Sequence, residues 1–172
     1  YSIPTSIFVW LYSDRVVQFF IKDSVATPLT VDYVSILFIG LMFSSYSFVF
    51  QGFFTGIEKT KVHMRVTITS NILNVYLNAG FIYGSSGVRS FFIEHLPSVS
   101  FLAVFWDWFS FPALGVKGAA IATLISSVWM TAHYATSLFS EEIKQKFSVF
   151  DISFNRDMMV KQIRLALPQV LQ

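Results

Sequence analysis

Three asparagines, Asn71, Asn74 and Asn78, are spaced i, i+3, i+7. At about 100° per residue they fall within roughly a 60° arc of a helix. They lie in a stretch with no charged residue from position 66 to 88, bounded by Arg65 and Arg89. A bilayer crossing needs about 20 apolar residues, so this stretch is long enough. The sequence therefore predicts a greasy helix with one polar stripe. Carboxamides inside a membrane must face protein or water, because lipid offers them no partners. The competing reading is that the asparagines only bridge helices as hydrogen-bond glue, at roughly 0.6–2 kcal/mol each. That reading is preferred for Asn71; an ion or substrate role is preferred for Asn74 and Asn78.

Composition fixes the class. Hydrophobic residues make up 54% of the 172, aromatics 18% and charged residues 13%. Mean hydropathy is +0.60. Soluble domains carry about 25% charged residues, so the chain reads as an integral membrane protein. A net charge of +2 is too small to argue for nucleic acid, and no basic patch is interleaved with aromatics. With no cysteine, thiol catalysis and thiolate metal sites are excluded. There is no Ser-His-Asp spacing, P-loop or metal-ligand cluster, so an enzyme is not expected. Neither is a cofactor. Residue 1 is tyrosine and residues 165–172 stop inside an apolar pattern, so an internal fragment of a longer chain is expected.

The elements that must position the asparagines follow in order. Residues 3–12 read as the second half of a helix, and residues 14–22 as an interfacial segment ended by Thr27–Pro28. Residues 33–56 form the first complete span, uncharged over its length and rich in small residues. Gly52 and Gly56 within it give a weak helix-packing signal. Residues 58–65 make a charged turn into the asparagine helix, which Gly84–Ser85–Ser86–Gly87 should close. Residues 89–113 form a long connection whose aromatic run, residues 101–108, predicts an interfacial helix. Residues 118–140 are the third complete span, and residues 141–164 a charged amphipathic segment. The turn and that segment hold three plus five Lys and Arg, against four elsewhere. The positive-inside rule then puts both in the cytoplasm. His133, within the third span, reads as a hydrogen-bonded interface residue. Tyr46 and Gln51 are candidate cavity-lining residues together with Asn71; Ser126 and Ser127 read as packing residues.

The strings GFFTGIEKTKVHM at 52–64, NILNVYLNAGFIYG at 71–84 and LGVKGAAIATLIS at 114–126, with LALP at 165–168, resemble the multidrug and toxic compound extrusion (MATE) transporters. The connection 89–113 departs from the short family loop. The resemblance implies an all-α polytopic transmembrane bundle, here the end of helix 3, helices 4–6 and the start of helix 7. Residues 1–140 would belong to the N-terminal lobe, 141–164 to the cytoplasmic linker between lobes, and 165–172 to the second lobe. It implies a monomeric antiporter of the inner (plasma) membrane. Such a protein exports cationic or amphipathic compounds by alternating access in exchange for Na⁺ or H⁺. The family's cation site maps onto Asn74 and Asn78, the Thr123 hydroxyl and the Ala119 carbonyl, with a helix 1 acid outside this sequence. Some members have Asp where this chain has Asn78, which weakens proton titration there. Asn78 lies six residues from Gly84 and Thr123 six from Lys117, so both sit about 9 Å inside the outer boundary. The alternatives are a lipid-linked oligosaccharide flippase of the same superfamily, disfavoured by the uncharged spans, and a non-transporting membrane scaffold.

Overall fold

The computed structural model describes Ile7, Phe8, Leu11, Tyr12, Arg15, Val17, residues 26–140, Ile143, Lys144, residues 156–158, Val160, Lys161 and Arg164. The chain divides into two units, Tyr1–Ser137 and Leu138–Gln172. Among the described residues the first has three long helices: α1 (Ala26–Gly56), α2 (Thr60–His95) and α4 (Gly115–Leu138). Between α2 and α4 lie a 3₁₀ segment, Pro97–Ala103, and a one-turn helix α3, Val104–Asp107. No strand occurs among the described residues. The fold is all-α, as the sequence predicts.

Among the described residues two helices are long and apolar enough to cross a membrane, Thr30–Gly56 and Gly115–Leu138. Only 11% of the first and 22% of the second is buried within the protein, unlike the core helix of a soluble domain. Phe48 and Val49 on α1 and Val116 on α4 are exposed. α2 is the least apolar of the three long helices, because it carries Lys61, Arg65, Arg89 and Glu94 toward its ends as well as the three asparagines.

The boundaries differ from expectation in three places. α1 begins at Ala26 and runs through Thr27–Pro28, where the sequence predicts a stop. The first N–H groups of a helix have no intrahelical acceptor, so proline in the first turn costs no bond. α2 does not close at Gly84–Gly87. It kinks at Gly84 (φ 73°, ψ 164°) and continues to His95. Gly84 is packed so that an added Cβ would meet Ala113 N at 3.1 Å. The aromatic run 101–108 is helical, but as the end of a 3₁₀ segment and one α-turn.

A three-residue turn joins α1 to α2. Glu58 takes a left-handed conformation (φ 61°), and Lys59 N–H donates to the Phe54 carbonyl at 2.9 Å. α1 and α4 run parallel, because their bonds keep a nearly constant sequence offset. Asp32 pairs with Lys117 (3.2 Å), Ser44 bonds Ser127 (3.3 Å), and Ser47 meets Thr131 (2.9 Å). Thr131 also bonds the Phe43 carbonyl at 2.8 Å. α2 is antiparallel to α4. Phe81 lies against Gly118 at one end and His63 against Tyr134 at the other. Tyr134 and Phe54 are fully buried, with ring centroids 5.8 Å apart, and they form the core at that end. Among the described residues no atom comes within 4 Å of a Cβ added at Gly52 or Gly56. Gly40 instead lies against Leu124 of α4.

The second unit is described by few residues. Ile143 and Lys144 are helical and both donate to the Ser140 carbonyl at 3.0 Å. Residues 165–172, and most of residues 1–25 and 141–164, lie outside the described residues.

Candidate functional site

The asparagine stripe sits on the α2 face beside the buried seam. Val66, Ser70, Leu77, Gly80 and Gly84 are buried. Asn74 and Asn78 are half-buried next to that line, and Asn71 is exposed. Spacing i, i+4 places the two half-buried carboxamides one above the other. Asn78 donates its Nδ2–H to Asn74 Oδ1 at 2.9 Å. This leaves the Asn78 Oδ1 and a second lone pair on Asn74 Oδ1 as acceptors.

On α4, the two groups that the resemblance implies are bonded to each other. Thr123 Oγ1 donates to the Ala119 carbonyl at 3.0 Å. The hydroxyl proton is thereby spent on its own helix. Its lone pairs, and the second lone pair of the carbonyl, remain for a ligand. Thr123 lines a cavity of about 150 Å³ between α1 and α4, with Gly40, Ser44 and Ser127 in its wall. Among the described residues no hydrogen bond joins Thr123 to either asparagine. Four oxygens from two carboxamides, a hydroxyl and a carbonyl are the donor type that hard cations take. No carboxylate stands among them. No group of three or more metal-ligating side chains occurs among the described residues.

The other candidates are placed differently. Tyr46 is 40% exposed on the outer face of α1 and Gln51 is half-buried. His133 is bonded across the α2–α4 seam, its Nδ1 3.2 Å from Thr69 Oγ1, in the interface role its position predicts. Ser126 bonds the Ala122 carbonyl on its own helix, and Ser127 packs against α1 as expected.

Sequence reasoning missed two features. Ser70 Oγ, one turn before Asn74, is buried without a partner among the described residues. A serine in an apolar helix gives no sequence signal that its hydroxyl will be left unpaired. The other is the clasp made by the connection. Ser85 Oγ donates to the Trp106 carbonyl (2.6 Å) and accepts from Phe111 N–H (2.9 Å). Trp106 Nε1–H donates to the Tyr76 carbonyl at 2.8 Å. Phe111 sits over Gly80, where a Cβ would come within 2.7 Å of its ring. The connection is thus fastened to α2 over the turn that follows Asn78.

Residues 1–79 match the MatE family, a match that takes in α1 and the asparagine pair. The match covers less than half of the 172 residues and supports reading this part as a MatE-family fragment. The chain is also similar to a probable multidrug resistance protein NorM of Thermotoga maritima, 30% identical over 95 residues. Those residues are 55% of this chain and span 16% of that relative's length. No solved structure matches. The all-α arrangement with membrane-length helices fits a MatE-family segment.

Proposed function

We propose that this chain forms part of a secondary antiporter that exports organic cations, drugs or other toxic compounds in exchange for Na⁺ or H⁺. The observation that carries the reading is the Asn74–Asn78 pair, bonded at 2.9 Å and lying within the residues that match MatE. The relative's description as a multidrug resistance protein supports the substrate class. Residues 1–140 serve as part of one lobe, residues 141–164 as the cytoplasmic linker, and residues 165–172 as the start of a second lobe. α2 crosses the inner (plasma) membrane as a third span with its stripe facing the protein interior. The protein works as a monomer, without a cofactor and without enzymatic chemistry.

The mechanism is alternating access, in which the lobes rock about a central cavity. The cation is held by Asn74, Asn78, the Ala119 carbonyl and Thr123, together with an acid from outside this segment. Coupling requires that the cation bind one state better than the other, since a ligand shifts an equilibrium only by its differential affinity. Everted vesicles carrying the full-length protein test the reading. On imposing a Na⁺ or a pH gradient, a fluorescent cationic dye should move against its gradient. Dye movement indistinguishable from that of empty vesicles under both gradients would contradict it.

A further inference from the structure

On the face of the α2–α4 seam away from the asparagines, two open-sided clefts meet at Trp129. One, of about 360 Å³, is lined by Thr69, Ile72, Leu73, Tyr76 and Trp129. The other, of about 230 Å³, is lined by Trp129, Ala132, His133 and Thr136. The lining is apolar except at the end nearest the α1–α2 turn. There the polar groups gather. Lys61, Arg65, Thr69, Ile72 and Tyr76 fall within about an 80° arc of α2. Lys61 and Arg65 are exposed, and among the described residues neither has an ion-pair partner. The nearest acid in sequence is Glu58, in the preceding turn.

Thr69 links this basic end to the cleft. Its hydroxyl lies 2.9 Å from the Arg65 carbonyl and 3.1 Å from that of Val66, and its single proton is donated there. His133 Nδ1 lies 3.2 Å from the same hydroxyl. The second ring nitrogen, Nε2, is left to bond a ligand in the cleft.

We infer that this seam is a binding site for one anionic phospholipid. Lys61 and Arg65 hold the phosphate, His133 bonds the headgroup, and an acyl chain lies along Ile72, Leu73, Tyr76 and Trp129. Both helices bear on the argument: α4 is of membrane-spanning length, and its Trp129 is 49% exposed at the cleft. Two exposed basic side chains, one and two turns before Thr69 on the arc of α2 that lines the cleft, select for negative lipid headgroups. A neutral lipid would fill the same groove without that preference. The site is separate from the asparagine stripe and does not depend on what is transported.

The test uses the full chain in nanodiscs of phosphatidylcholine doped with acyl-brominated lipid, which quenches tryptophan on contact. The Trp129 signal is taken as the difference between wild type and Trp129→Phe. Brominated phosphatidylglycerol should quench it at about a tenfold lower mole fraction than brominated phosphatidylcholine. The preference should shrink with added salt and vanish in Lys61→Gln/Arg65→Gln, whose exposed side chains carry no packing. Equal quenching by the two lipids in wild type would overturn the proposal, leaving ordinary hydrocarbon contact. A preference that survives the double substitution would overturn it too, by placing the selecting charge elsewhere.

Discussion

Ser70 is the buried hydroxyl whose chemistry is unfinished. Ser126, equally buried on the facing helix, bonds its own Ala122 carbonyl at 2.8 Å; Ser70 does not use Val66, whose carbonyl takes Thr69. An unpaired buried hydroxyl costs about 1–3 kcal/mol. Ser70→Ala should therefore raise stability by about 1 kcal/mol, read as a higher thermal midpoint in detergent. A lower midpoint would mean that the hydroxyl has a partner in the folded protein. Glycines give a sharper contrast. A Cβ on Gly118 would collide with the backbone carbonyl of Phe81, which cannot swing aside. Gly118→Ala should cost about 1–3 kcal/mol or prevent the α2–α4 seam from forming. Gly52 faces open space, and Gly52→Ala should add up to about 1 kcal/mol through helix propensity. Equal midpoints for the two variants would contradict the packing described.

At the scale of elements, the clasp decides how the long connection behaves. Ser85 contributes both a donor and an acceptor to it. Ser85→Ala should speed amide hydrogen exchange in residues 97–111 by about tenfold, the effect of losing roughly 1.4 kcal/mol of local stability. Unchanged exchange would mean that the aromatic contacts of Trp106 and Phe111 hold the connection alone. The three long helices were legible in the sequence because each is built around an uncharged run between charges. The continuation of α2 past Gly84 was not. Gly84–Ser85–Ser86–Gly87 reads locally as punctuation, and only tertiary partners far along the chain, Trp106 and Phe111, make it a kink within a helix. The α1–α4 seam was hidden for a similar reason: Ser44, Ser47 and Thr131 do not reveal their partners from spacing within one helix. The asparagine pair was legible because i, i+4 contact is a local property. The Ala119–Thr123 pair rested on resemblance alone, and its bond is likewise local to one helix.

For the whole molecule, the polar groups divide into two sets on opposite flanks of α2. The carboxamides line one flank. Lys61, Arg65 and Thr69 line the other, where the clefts at Trp129 open. That division suits a helix with protein on one side and lipid on the other. The Asp32–Lys117 pair, with both side chains about half exposed at 54% and 50%, adds at most about 1 kcal/mol at one end. The serine and threonine bonds and the Tyr134 cluster therefore hold α1 and α4 together. The central claim is that the α2 carboxamides carry the coupling cation. Gradient-driven dye export in everted vesicles should be compared between the full-length protein and its Asn74→Ala/Asn78→Ala variant at matched expression. The account predicts that export driven by the effective gradient falls to the level of empty vesicles in the variant. Export at the wild-type rate would contradict it and leave the two asparagines as a bond within one helix.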